Sequence, residues 1–98
     1  MDKINIFSLF TGRHPLPENK GAICSDFDFD RFRAVRSSLW SEALHKLKDG
    51  QEVRLIVTGL TPALTEFLSE AFKENASGKL ILLHYNSSTQ QYVEQEVL

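Results

Sequence analysis

Apolar residues gather into three dense runs along this chain: INIFSLF at 4–10, EVRLIVT at 52–58 and KLILLHY at 79–85. Each is short and apolar nearly throughout, which predicts strands of a sheet covered on both faces. Residues 23–29 differ. There Phe27 and Phe29 alternate with Asp26, Asp28 and Asp30, the period-two pattern of a short half-buried strand. The closing stretch QYVEQEVL also alternates, and with the turn NSST before it reads as a short C-terminal edge strand.

Two segments carry the helical period instead. Phe32, Val35, Leu39, Trp40, Ala43, Leu44 and Leu47 recur at spacings of three and four, one apolar stripe. Asp30 is placed to cap its N-terminus, and Gly50, following Lys46 and Lys48, to stop it. A second helix opens with Thr61 as N-cap and Pro62 at the first helical position, where its missing N–H costs nothing. Its stripe is Leu64, Phe67, Leu68, Ala71 and Phe72, and it ends before Gly78.

Strands alternating with helical segments predict an α/β sandwich with a mainly parallel sheet, a single domain over residues 1–98. In such sheets ligands sit beyond the carboxyl ends of the strands, where connections diverge to opposite faces. The first and second dense runs end in related sequences, TGRHP (11–15) and TGLTP (58–62). Both are thereby expected at one sheet edge. In TGLTP, Gly59 permits close backbone approach or a positive φ, Thr58 and Thr61 supply hydroxyls, and the first helical turn offers free N–H groups to an anion. Taken alone, the same residues are more simply read as a plain turn and helix cap. TGRHP adds a guanidinium fork at Arg13 and, at His14, a group that exchanges protons near neutral pH. Ser8 and Thr11 add hydroxyls, and Pro15 and Pro17 stiffen the exit.

Composition narrows the classes. The 98 residues carry 11 Lys and Arg against 13 Asp and Glu, a net charge of −2. That balance argues against wrapping a long nucleic acid but leaves room for a small anion held by local donors. Cys24 is the only cysteine, so no internal disulfide or thiolate cage forms, and a cytoplasmic setting is expected. No run reaches a membrane span and the N-terminus has no secretion-signal pattern, so no membrane partner is expected. DFDFD opens like a calcium loop, but Arg31 stands where glycine is needed and Ser37 where the closing Glu belongs. The three His have no metal-ligand spacing, and no metal or cofactor is expected. Arg31, Arg33 and Arg36 form a basic cluster placed on the first predicted helix. His45 and His84 read as structural.

NIFSLFTGRHPLPEN, followed much later by VTGLTPALTEFLSEAF, resembles the small CRISPR-associated proteins of the Csx-fifteen type. The likeness covers residues 5–19 and 55–68, with the order and spacing of both motifs kept. It implies a Rossmann-like (CARF-like) domain that binds a cyclic oligoadenylate messenger of type III CRISPR immunity. It places Gly12, His14, Pro15, Gly59, Leu60 and Pro62 at motif positions; the extra Thr-Gly-Arg before His-Pro departs from the family pattern at Arg13. The implied ligand site gathers Ser8, Thr11, Gly12, Arg13, His14 and Pro15 with Thr58, Gly59, Leu60, Thr61 and Pro62. A ligand with two-fold symmetry fits across a homodimer or higher homo-oligomer. The expected function is sequestration of cyclic tetra-adenylate. The alternatives are a ring nuclease, with His14 as acid or base and Arg13 stabilising the phosphate, and an adaptor without a small ligand.

Overall fold

β4 (Val53–Val57) is the centre of the fold, hydrogen-bonded to a parallel neighbour on each side. The computed structural model describes residues 5–10, 18–59 and 61–98. Within them β1 (Ile6–Ser8) pairs with β4, β4 pairs with β5 (Leu80–Asn86), and β5 pairs antiparallel with β6 (Gln91–Glu96). The sheet order is therefore β1-β4-β5-β6, mainly parallel with a C-terminal edge strand as the pattern predicted, and that edge strand runs antiparallel. The β5–β6 turn is held at Asn86, whose carbonyl accepts the Gln90 N–H at 2.7 Å while its side chain accepts that of Ser88 at 2.9 Å.

Both helices lie on one face. Trp40, Leu44 and Leu47 of α1 (Ser38–Lys48) and Ala63, Phe67 and Ala71 of α2 (Thr61–Lys73) pack with Phe7, Val53, Leu55, Leu80 and Leu82 in one core. On the opposite face Ile56, Ile81 and Leu83 form a smaller cluster with Ile6 and Tyr92, beside an Arg54–Glu94 ion pair. The handedness of parallel crossovers explains the asymmetry. The steps β1 to β4 and β4 to β5 move the same way across the sheet, so right-handed connections return over the same face. The connections after β1 and β4 thus do not diverge, contrary to the switch point expected from the element order.

The larger correction lies between β1 and α1. The first helix does not begin after Asp30. Residues 33–36 are a strand, β3 (Arg33–Arg36), pairing antiparallel with β2 (Cys24–Asp28) in a separate hairpin. The Asp28 carboxylate accepts the N–H groups of Asp30 and Arg31, at 3.0 and 3.2 Å, which makes a tight turn where a helix start was expected. Phe32 then takes φ 52°, outside the helical range. The helix cap is Ser37, whose Oγ accepts the Leu39 N–H at 3.2 Å and donates to the Ala22 carbonyl at 2.6 Å. Phe32 and Val35 matched the helical stripe by spacing alone, and the basic cluster belongs to the hairpin. Phe29 lies beyond β2 and is exposed, whereas Phe27 is buried.

The expected stop at Gly50 holds: its φ is +83° and its N–H reaches the Leu47 carbonyl. Gly78, just before β5, meets a stricter demand. Its N–H donates to the same Leu47 carbonyl at 2.8 Å, and a Cβ there would lie 2.2 Å from the Gln51 carbonyl oxygen. Gly78→Ala is expected to cost about 3 kcal/mol. Thermal unfolding should show the midpoint falling by more than 10 °C, as a roughly 100-residue domain loses about 4–8 °C per kcal/mol; an unchanged midpoint would refute the close approach.

Candidate functional site

The parallel pairing of β1 with β4 brings the chain ends that lead into the two Thr-Gly loops side by side. Thr58 ties them together. Its Oγ1 accepts the Phe10 N–H at 2.9 Å and donates to the Phe10 carbonyl at 2.8 Å, satisfying both backbone groups of the residue before the first loop. The Leu9 N–H donates to the Ile56 carbonyl at 2.9 Å, extending the ladder by one step. Gly59 follows at φ +108°, a conformation that L side chains rarely adopt, with open space where a Cβ would point. α2 then begins at Thr61, which makes Thr61 the first helical residue rather than the cap and puts Pro62 within the first turn, where proline is tolerated.

Of the sequence-derived site residues, this edge therefore holds Thr58, Gly59, Thr61 and Pro62. Ser8 is on β1 but buried, its backbone bonded to the Gly21 carbonyl and the Ile23 N–H; residues 20–23 run beside it as a short parallel extension of the sheet. Thr11, Gly12, Arg13, His14, Pro15 and Leu60 lie outside the described residues. His84 and Gln95 hydrogen-bond across β5 and β6 at 2.7 Å, and His45 is on the exposed side of α1. Among the described residues no three His, Cys, Asp or Glu side chains are grouped to hold a metal ion, and no helix is long and apolar enough to cross a membrane.

A second concave feature went unnoticed in the sequence. The β2–β3 hairpin leans on α2 and leaves an open groove of about 1150 Å³ between them. Its inner end is fixed by Arg36, which reaches Glu66 at 2.8 Å and Glu70 at 3.0 Å and lies 4.4 Å over the Trp40 ring. The Ala34 N–H donates to the other Glu66 oxygen at 2.8 Å. Burial pushes the Glu66 carboxyl up, but the Arg36 hydrogen bond, the Ala34 N–H and the charges of Arg36 and Arg33 outweigh it, leaving the group below its ordinary range. The signal in the sequence was the segment RFRAVR, which fits a cationic strand as well as a helix face. Only pairing with β2 selects the strand.

No protein-family model matches this chain, and no curated protein or solved structure matches it either.

Two predictions follow from these contacts. Thr58→Val keeps the shape but removes both bonds to Phe10, leaving two half-buried backbone groups unpaired. A loss of about 1–3 kcal/mol is expected in urea unfolding, and a loss of nothing would show that the clip does not hold the strand ends. The second concerns acid. A carboxyl held below its ordinary range contributes stability above the unfolded-state pKa and loses it as pH falls through the folded value. Stability should therefore decline below the ordinary glutamate range, and Glu66→Gln should be less stable at neutral pH but show a shallower acid limb. Parallel acid limbs for the two proteins would contradict the ion-paired Glu66.

Proposed function

We propose that this chain binds a cyclic oligoadenylate, cyclic tetra-adenylate, at the carboxyl edge of β1 and β4 and sequesters it, damping type III CRISPR signalling. The observation that carries the reading is the Thr58 clip, which brings the entrances of both Thr-Gly loops to one edge beside an open Gly59. The resemblance to the Csx-fifteen type supplies the ligand class. On this reading the domain is a reduced Rossmann-like (CARF-like) unit, cytoplasmic, and works as a homodimer.

The chemistry suits the ligand. A cyclic oligoadenylate presents phosphates at a compact ring, and these are met by free N–H groups of the first α2 turn, by the Thr61 hydroxyl and by backbone at Gly59. Arg13 adds a bidentate contact and His14 a donor. Because the ring is symmetric, each subunit need supply only half of the donors. Sequestration is favoured over cleavage because His14 is the one acid–base side chain in the two loop sequences, and binding requires no second group acting in concert with it.

Labelled cyclic tetra-adenylate, followed by gel shift and by separation of products, tests the reading. A retarded complex containing intact ring is expected, with a dimer by light scattering. Gly59→Ala, strained at positive φ, should weaken binding about tenfold, and His14→Ala should weaken it as well. Rapid multiple-turnover cleavage that His14→Ala abolishes without loss of affinity would make the protein a ring nuclease. Absence of any complex would leave an adaptor domain.

A further inference from the structure

The groove between the β2–β3 hairpin and α2 carries three features that bear on what it binds. The first is charge. Arg36 is matched by Glu66 and Glu70, whereas Arg31, Arg33 and Lys73, all lining the groove, form no ion pair among the described residues. A chain of net charge −2 thus places four cations (Arg31, Arg33, Arg36, Lys73) with two carboxylates (Glu66, Glu70) along one cleft.

The second is the placement of Phe32. The residue is 65% exposed, and its backbone holds φ 52°, which a bulky residue rarely adopts. It is not a loose side chain, since its ring stands edge-on to Phe27 at 5.1 Å and to Phe29 at 6.3 Å. The φ belongs to the turn, since Gln90 closes the β5–β6 turn at φ 59°, but the turn does not ask for a large exposed aromatic at that position. The third is the opposite wall, where Thr61, Thr65 and Ser69 project from successive turns of α2.

We propose that this groove binds a short single-stranded oligonucleotide, one base stacked on Phe32 and the phosphates held by Arg31, Arg33 and Lys73. Arg31-Phe32-Arg33 alternates cation, π-face and cation, which corresponds to the alternation of phosphate and base along a single strand. An acidic peptide would use the cations but has no need of a fixed stacking platform. A duplex would hide its base faces and demand a broader basic surface than this chain has. At about 1150 Å³ the groove exceeds the usual range for one drug-sized ligand, leaving room for more than one nucleotide. Its far end reaches Thr61 and Pro62, so the groove adjoins the sheet edge while its recognition elements lie on the hairpin.

Fluorescence anisotropy with 5′-fluorescein-labelled linear hexa-adenylate tests this. Saturable binding is expected at low salt, with log K falling against log salt at a slope of about −2, as three phosphate contacts on a single strand give. Phe32→Gly accepts the positive φ, so it should fold with an undiminished melting midpoint while binding the probe about tenfold or more weakly. Arg33→Glu and Lys73→Glu should each weaken binding and flatten the salt slope by about 0.7. Cyclic tetra-adenylate affinity, measured on the same Phe32→Gly protein, should stay unchanged. The proposal is overturned if the probe shows no saturable binding or binds Phe32→Gly as tightly as the native protein. It is equally overturned if an oligo-aspartate peptide displaces the probe at matching concentration, or if Phe32→Gly loses the cyclic ligand too.

Discussion

Trp40 is the point on which the arrangement turns. Its ring is almost wholly buried, stands edge-on to Phe67 of α2 at 5.1 Å, and carries the Arg36 guanidinium over its face at 4.4 Å. Its indole N–H donates to Glu70 at 3.1 Å, and Glu70 in turn meets Arg36. One side chain of α1 therefore fixes its neighbour helix and the last residue of β3 together. Burial of so large a ring supplies the energy, and the polar contacts at its edge supply the orientation. The residue after Arg36 is the cap of α1, so the angle at which the hairpin leaves the body is set at this same place.

That constraint gives α2 two different faces. Inward, Ala63, Phe67 and Ala71 are buried against the sheet, and the small alanines let the helix lie close to it. Outward, Thr61, Thr65, Glu66, Ser69, Glu70 and Lys73 look onto the hairpin. Had the hairpin been the opening turns of a helix, this outward face would be an ordinary solvated surface. Held where Trp40 and Arg36 place it, the hairpin turns that surface into the wall of a groove. The sheet edge has a different origin. It follows from parallel pairing, which must put the ends of β1 and β4 together, and Thr58 closes the remaining gap between them.

Much of this was legible in the residues. INIFSLF, EVRLIVT and KLILLHY each contain a strand of the sheet, and QYVEQE is its antiparallel edge. α2, to within a residue of its start, and the Gly50 stop of α1 could be read because each depends on chemistry within a few residues. Phe32 and Val35 could not. Spacings of three from Phe32 to Val35 and of four from Val35 to Leu39 satisfy the helical period, and no local feature outweighs them. The cap that forms, Ser37, is fixed by a bond from its hydroxyl to the Ala22 carbonyl, a partner that no local pattern shows.

What the sequence by itself determined was the strands other than β3, the second helix, the mainly parallel order and the meeting of two strand ends, because burial and backbone preference act within single segments. The tertiary structure alone decided that both helices share a face, that residues 33–36 pair with β2, and that three arginines line a cleft. Those outcomes depend on contacts between residues far apart in the chain. Arg36 finds Glu66 and Ser37 finds Ala22 only after the chain has closed on itself, and those partners overrule a local pattern that pointed to a helix.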